Sequence, residues 1–284
     1  MSDQKYTQQD LDQINEFDRR FIAGLNPAPL VKKIQLEDIA GKENYARVAE
    51  LEKLNLVSSS IIRGKELSFI TNSKRLLWQA YGQEYIEPEL LDFIDDIPST
   101  STYFDIGASN GVFALYAAIK GISVVCFEPE IANFSLLNHN TYLNSKSSLI
   151  DISNFNIALS DENGIGEIYI EKYEAGGHLK ILDSDLNRNK TSFNPDFIQK
   201  VLKYKLDDFL KLTNLRIPNF LKIDVDGAEQ RVLKGMTGLL KNDKLQKIFI
   251  ELEEAGENFD FCHNIITSNG FKIESRKRVQ NYFG

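Results

Sequence analysis

The feature that most constrains how this 284-residue chain folds is a change of hydrophobic period at Thr102. Beyond it, short apolar runs of strand length alternate with stretches of helical spacing, the pattern of a parallel sheet joined by crossover helices. Strands are predicted near 102–106, 122–127, 152–158, 219–225, 246–252, 271–276 and 279–283, and helices near 111–120, 131–144, 227–240 and 259–269. The expected fold class is α/β, with seven strands in a mostly parallel sheet. Between the third and fourth strands, Gly164 to Lys203 is long and polar for a passive connection. It reads as a hairpin around Ile168-Tyr169-Ile170 followed by a mobile substrate loop.

Before Thr102 the chain reads as mainly helical. Leu11, Ile14, Phe17, Phe21 and Leu25 recur at helical spacing behind a Thr7 cap, until Pro27 and Pro29 interrupt them. A second amphipathic run covers Asn44 to Leu56, and Ile61 to Ile70 suits a short hairpin turning at Gly64. Lys74 to Tyr81 and Pro88 to Asp95 look helical again. Residues 1–84 are expected to be a mainly helical N-terminal extension, a cap or an element for homo-oligomer formation, and residues 85–284 the main domain.

Composition narrows the classes. A chain that is 42% hydrophobic can bury a substantial core. Its formal net charge of −8 supplies no footprint for phosphate backbones, so no nucleic-acid partner is expected. Cys126 and Cys262 lie far apart in apolar surroundings, which suits a reducing compartment rather than a disulfide framework or a metal-ligand spacing. The polar amino terminus has no apolar h-region and no apolar stretch of roughly 18 residues occurs, so a cytoplasmic location without a membrane partner is expected.

The chemistry concentrates where strands end. In Tyr103-Phe104-Asp105-Ile106-Gly107-Ala108-Ser109-Asn110-Gly111-Val112-Phe113 a strand closes on an acid, passes a turn of small residues and opens a helix. Gly107 and Gly111 are expected to let a ligand approach the backbone, and amides at the helix start to offer donors to an anionic group. Charge separates the candidate ligands. A dinucleotide needs room for a pyrophosphate, whereas S-adenosylmethionine (SAM) brings a sulfonium and an ammonium that favour a carboxylate such as Asp105. Glu128 ends the second strand 17 residues after Gly111, where an acid can accept hydrogen bonds from ribose hydroxyls; the alternative is a solvated strand end. Asn156 or Ser160 can meet adenine edges beside a thin wall at Ala158, or can form an Asx-type turn.

The fourth strand carries Lys222, Asp224 and Asp226 on alternate positions. Asp224 is the first candidate for holding the ammonium of SAM or removing a proton from a substrate hydroxyl, and Lys222 for easing a developing alkoxide. Asp226 and Glu229 can instead cap the helix after Gly227. His178, behind Gly176 and Gly177, is a second candidate base or substrate contact, unless simply solvated; His139 and His263 read as structural or surface residues. Glu251 ends the fifth strand, and with Asp224 and Asp226 offers oxygen ligands for a divalent cation. The preferred reading of these acids is binding of substrate hydroxyls, with no metal.

Taken together, these segments resemble the FkbM family of SAM-dependent methyltransferases. The likeness rests on Asp105 to Gly111, Phe127-Glu128-Pro129 with Asn133, Asn156 to Asp161, Leu206-Asp207-Asp208-Phe209, and Leu221 to Glu229 followed by Val232-Leu233-Lys234-Gly235. Tyr85-Ile86-Glu87-Pro88 also looks like the segment that precedes the family's first strand, so the resemblance covers roughly residues 85–255. It implies a Rossmann-like class I methyltransferase sheet, mostly parallel, of seven strands with an antiparallel last strand. SAM is the implied cofactor, with Asp105, Gly107, Ser109, Asn110, Gly111, Phe113, Glu128, Pro129, Asn133, Asn156, Ala158 and Asp224 as its binding residues. O-methylation of a small-molecule or glycan sugar hydroxyl is the implied activity. Ser109 stands where the family usually has Asn, and Asp226 where it has Glu. Two rival readings are a non-catalytic SAM-binding scaffold and a nicotinamide-dependent oxidoreductase, although the third glycine of Gly-x-Gly-x-x-Gly is missing.

Overall fold

The computed structural model describes residues 40–54, 56–177, 180–184, 192–252 and 257–277. The chain divides into two compact units, 1–55 and 56–284. In the first, helix α1 (Lys42–Glu52) corresponds to the amphipathic run at Asn44 and buries none of its side chains. The helix expected from Thr7 to Leu25 lies outside the described residues.

The second unit opens with a hairpin, β1 (Val57–Ile62) and β2 (Lys65–Ile70). Arg63 and Gly64 both have positive φ, 46° and 79°, the conformation whose twist matches a two-residue hairpin. Helices α2 (Lys74–Tyr81), α3 (Gln83–Ile86) and α4 (Pro88–Asp95) come next. Residues 56–84, assigned to the N-terminal extension by sequence, share a core with residues beyond position 84: Ile62, Leu67 and Phe69 pack with Leu91, Tyr103 and Leu115.

The alternating segments then appear as β3 (Thr102–Ile106), α5 (Val112–Ile119), β4 (Ser123–Phe127), α6 (Ile131–Ser145) and β5 (Ile152–Phe155). After a second sheet come α7 (Leu206–Leu212), β10 (Phe220–Ile223), α8 (Glu229–Lys234), β11 (Lys247–Ile250) and α9 (Glu257–Ser268). Five strands make a wholly parallel sheet in the order β11-β10-β3-β4-β5. Both faces are apolar, as crossover helices require: Tyr103, Val124 and Phe220 face one core, and Phe104, Val125 and Leu221 the other.

Among the described residues the sheet has five strands where seven with an antiparallel last strand are expected. Residues 271–276 form no strand with any described residue, and 272–277 are exposed. The strand expected at 279–283 lies outside the described residues. The third strand stops at Phe155, because Ala158–Leu159 (β6) leaves to pair with a second sheet. The helix expected over 227–240 ends at Gly235, whose Cβ position is 2.0 Å from the Ser160 carbonyl oxygen. A short 3-10 turn, Leu239–Lys241, restarts it under the Asp207 carboxylate, which accepts from Gly238 and Leu239 amides.

Among the described residues from Gly164 to Lys203, more than half lie in strands; 178–179 and 185–191 of the expected loop lie outside the described residues. β7 (Gly164–Ile170) pairs antiparallel with β8 (Lys180–Leu182) and β9 (Phe197–Tyr204), in the order β6-β9-β7-β8. Buried Lys203 binds Glu162 and Asp183, and Arg231 of α8 binds Asp161 and Asp183 at 3.0 Å each, tying this sheet to the helix after β10.

Candidate active site

The parallel sheet reverses its winding between β3 and β10: β4 and β5 lie to one side and β11 to the other. The crevice beyond the carboxyl ends of two such strands is where open α/β sheets bind ligands. Here it is formed by Asp105 to Gly111 after β3 and by Lys222 to Gly227 around the end of β10.

The turn after β3 is held from inside. Gly107 and Ala108 amides donate to the Phe127 carbonyl at 2.9 and 3.2 Å, and Gly111 N donates to Ala108 O. Ser109, with φ 51°, donates its amide to Glu128 Oε2 at 2.8 Å. The amides of Gly107, Ala108, Ser109 and Gly111 are therefore occupied by the protein, while the start of α5 at Val112 has no side-chain cap among the described residues. The glycines also have another cause than ligand approach. A Cβ on Gly107, at φ 81°, would lie 1.8 Å from the Asp224 carbonyl oxygen, and one on Gly111 would lie 2.4 Å from Leu137 Cδ1. Asn110 is buried, its carbonyl accepting from Asn140 and its side-chain amide donating to Gln79. Phe113 packs against the core from α5.

Across the strands, register sets Asp105 beside Lys222. Lys222 is 3% exposed, and its ammonium lies 3.1 Å from Asp105 Oδ1, 3.3 Å from Asp224 Oδ2 and 2.9 Å from the Gly107 carbonyl oxygen. Its hydrogen bond to Gly107 and its ion pairs to both carboxylates make Lys222 a group that positions Asp105 and Asp224. Burial alone would lower the Lys222 pKa, yet Asp105, Asp224 and Glu87 together raise it above the ordinary range. Burial pushes the Asp105 carboxyl up, partly offset by Lys222.

Glu87, at the start of α4 and not singled out as a site residue in the sequence, completes the acidic face of Asp224 and Glu251. Glu87, Asp224 and Glu251 each place a carboxylate oxygen within 4.8 Å of the others. Burial, reinforced by Asp224, pushes the Glu87 carboxyl up to about 8. Hard oxygen donors of this kind suit a divalent cation, a ligand ammonium or hydroxyl groups. These acids and Asp226 line a groove of about 2420 Å³.

At the end of β4, Glu128 accepts from Ser109 N and, through Oε1, from Glu130 N at 2.9 Å. Burial raises its carboxyl to about 7 against those bonds and Lys180. Two backbone donors leave acceptor capacity on the four lone-pair sites of a carboxylate. Asn156 does not face outward for an adenine edge through its amide nitrogen, which donates to the Glu128 and Pro129 carbonyls at 2.9 Å each and so fixes that corner. Ser160 is fully buried against Asp161, and Ala158 lies in the core of the second sheet. Asn133 accepts from Gly176 N at 2.8 Å. Glu130, overlooked in the sequence, caps α6 by accepting from Ala132 and Asn133 amides and pairs with Lys180 at 2.5 Å; an acid three residues before Asn133 at a helix start was its signal.

Asp226, at φ 51°, faces the Lys180 amide at 3.5 Å. Glu229 accepts from Gly227 N and Asn258 Nδ2, while among the described residues the start of α8 has no side-chain capping bond from Asp226 or Glu229. His178 lies outside the described residues. His139 is exposed, and His263 stacks on Phe259 within α9.

The profile described as the methyltransferase FkbM domain matches residues 105–273. The chain is 28% identical over 208 residues to Methyltransferase 1 of Beauveria bassiana (strain ARSEF 2860), covering 67% of this chain and 81% of that protein. Among solved structures it is similar to the crystal structure of Methyltransferase FkbM from Methylobacillus flagellatus KT, at 18% identity and TM-score 0.43, over 60% of this chain and 37% of that one. A SAM-dependent methyltransferase from Agrobacterium tumefaciens gives TM-score 0.43 at 11% identity, over 76% of this chain and 59% of that one. The chain thus spans less than two thirds of either solved protein.

Proposed function

Because this chain belongs to the FkbM methyltransferase domain family, we propose that it is a SAM-dependent O-methyltransferase acting on a hydroxyl of a small molecule or a glycan sugar. One observation carries the reading: at the switch point, the carboxylates of Asp105 and Asp224 converge on one ammonium, Lys222, with Glu87 near enough to act on it as well. Carboxylates in excess of their internal cation favour a positively charged ligand. The residues fit the cofactor of this family. Ser109 Oγ is buried without a hydrogen-bond partner among the described residues, and Glu128 keeps acceptor capacity for ribose hydroxyls. The missing third glycine of Gly-x-Gly-x-x-Gly weighs against the oxidoreductase alternative.

Asp105 and Glu128 would hold the amino-acid and ribose ends of SAM, which supplies an electrophilic methyl group. Asp224, kept in place by Lys222, faces the groove and takes the proton of the acceptor hydroxyl. Asp226 and Glu251 accept hydrogen bonds from neighbouring hydroxyls of the acceptor, an arrangement better suited to a neutral sugar than to an anion. No helix among the described residues is long and apolar enough to cross a membrane. The proposed location is the cytoplasm, the proposed partners are the acceptor and, through residues 1–84, further copies of the chain.

The test is calorimetric titration with S-adenosylhomocysteine. The parent protein is expected to bind and Asp105→Ala to lose binding; equal affinity removes the Asp105 assignment. Asp224→Asn is expected to keep cofactor affinity and to suppress methyl transfer by roughly 100-fold or more. Undiminished turnover would exclude the base role.

A further inference from the structure

The connection between β7 and β8 touches α2 and α6, and one side chain from α2 bonds both to it and to the cofactor turn. Gln79 Oε1 accepts from Asn110 Nδ2 at 2.9 Å, while Gln79 Nε2 donates to the Gly176 carbonyl at 3.1 Å. On its other side Gly176 donates its amide to Asn133 Oδ1. Asn110, Gln79 and Asn133 therefore form one chain of neutral amides passing through the Gly176 backbone. The backbone is shaped for it: Gly176 has φ 75°, and a Cβ would lie 2.6 Å from Gln79 Oε1 and 2.7 Å from Leu76 Cδ2. The same connection is pinned on either side, by Arg75 to Glu174 at 2.7 Å and by buried Lys180 to Glu130 at 2.5 Å.

We propose that Gln79 is a positioning residue of the cofactor site, holding the turn at Asn110 and the strap at Gly176 in one arrangement. Helix α2, which lies before the matched span 105–273, thereby completes the wall of the site. The inference rests on the methyltransferase reading above. A neutral amide suits the task because it donates and accepts at once without the cost of burying a charge. Its loss leaves the Asn110 amide and the Gly176 carbonyl without these partners.

The test uses the full chain, titrated with S-adenosylhomocysteine in a calorimeter and followed by hydrogen exchange of the segment around Gly176. Gln79→Met, similar in length but unable to make either bond, is expected to weaken affinity about tenfold and to raise the KM for SAM alike. Its kcat at saturating SAM stays within about twofold of the parent. In the parent the ligand slows exchange at Gly176; in the variant it does not. Gln79→Glu keeps the acceptor for Asn110 and loses the donor to Gly176, so it retains part of the affinity without the protection. Should Gln79→Met fail to fold, Gln79→Glu decides by the same readouts. Parent-like affinity and parent-like protection overturn the positioning role and leave the methyltransferase reading standing. If the parent itself takes up no S-adenosylhomocysteine, that reading falls and this inference with it.

Discussion

The carboxyl edge of the parallel sheet and the docking face of the β1–β2 hairpin are both buried and both polar, yet one is built from charges and the other from neutral amides. At the hairpin, Asn144 accepts from Ser68 N and donates to Ser68 O, and Asn140 accepts from Ile70 N. Two asparagine side chains thus continue the backbone ladder of an edge strand, and each bond made there satisfies both partners. At the sheet edge, one ammonium serves several carboxylates and the sum is negative. A region that only has to stay assembled can close its hydrogen bonds internally; a region that has to attract a cationic ligand keeps charge in reserve.

Removing the central charge is the most severe way to break this contrast. Lys222→Met should cost about 3–5 kcal/mol of stability, because Asp105 is left buried and unpaired. Urea denaturation checks it, and the loss should be smaller at pH 5 than at pH 8, since Asp105 can then take up a proton. A loss independent of pH would mean that the edge is held by packing rather than by charge. Asn144→Ala comes next, at about 1–3 kcal/mol for the orphaned Ser68 groups. Its cost should be flat over the same pH range; a slope would blur the distinction between the regions.

The smallest expected effect is pH itself. The Glu128 carboxyl is raised by burial to about 7, so its contribution to the stability of the ligand-free protein is fully present below about pH 4.3 and is lost as pH rises through 7. Acceptance of ribose hydroxyls needs the ionised form, so affinity for S-adenosylhomocysteine should move the other way, rising about tenfold from pH 6 to pH 8. Calorimetry at three pH values measures this, and an affinity that falls across the interval would take Glu128 out of the ribose role.

Elements with local causes were legible. The hairpin turn shows in Arg63-Gly64, the start of α4 in Pro88, and β3 and β4 in apolar runs that end in Asp105-Ile106 and Phe127-Glu128. The second sheet was not, because β7 and β9 expose Ile165, Ile198 and Leu202 while Lys203 is buried, so no clean polar alternation marks the inner face, and β9 pairs with strands on both sides, one of them only two residues long. The break in the helix after β10 was equally hidden, since it depends on Gly235 meeting the backbone of Ser160. Among site residues, Asp105, Asp224 and Glu128 stood out by strand-end position. Gln79 did not, because a helix residue without a nearby motif carries no sign of what it faces, and Glu87, although inside Tyr85-Ile86-Glu87-Pro88, showed no sign of meeting Asp224 from 137 positions away.

By itself the sequence determined the alternation of strand and helix, the acids at the strand ends and the family to which they belong. Those features stem from residue type and short-range spacing. Tertiary structure alone decided what each polar group is doing: that Lys222 meets the Gly107 carbonyl 115 residues away, that the turn amides are already occupied, and that α2 reaches the cofactor turn. Such pairings depend on strand register and helix packing across the whole chain, which no local pattern encodes.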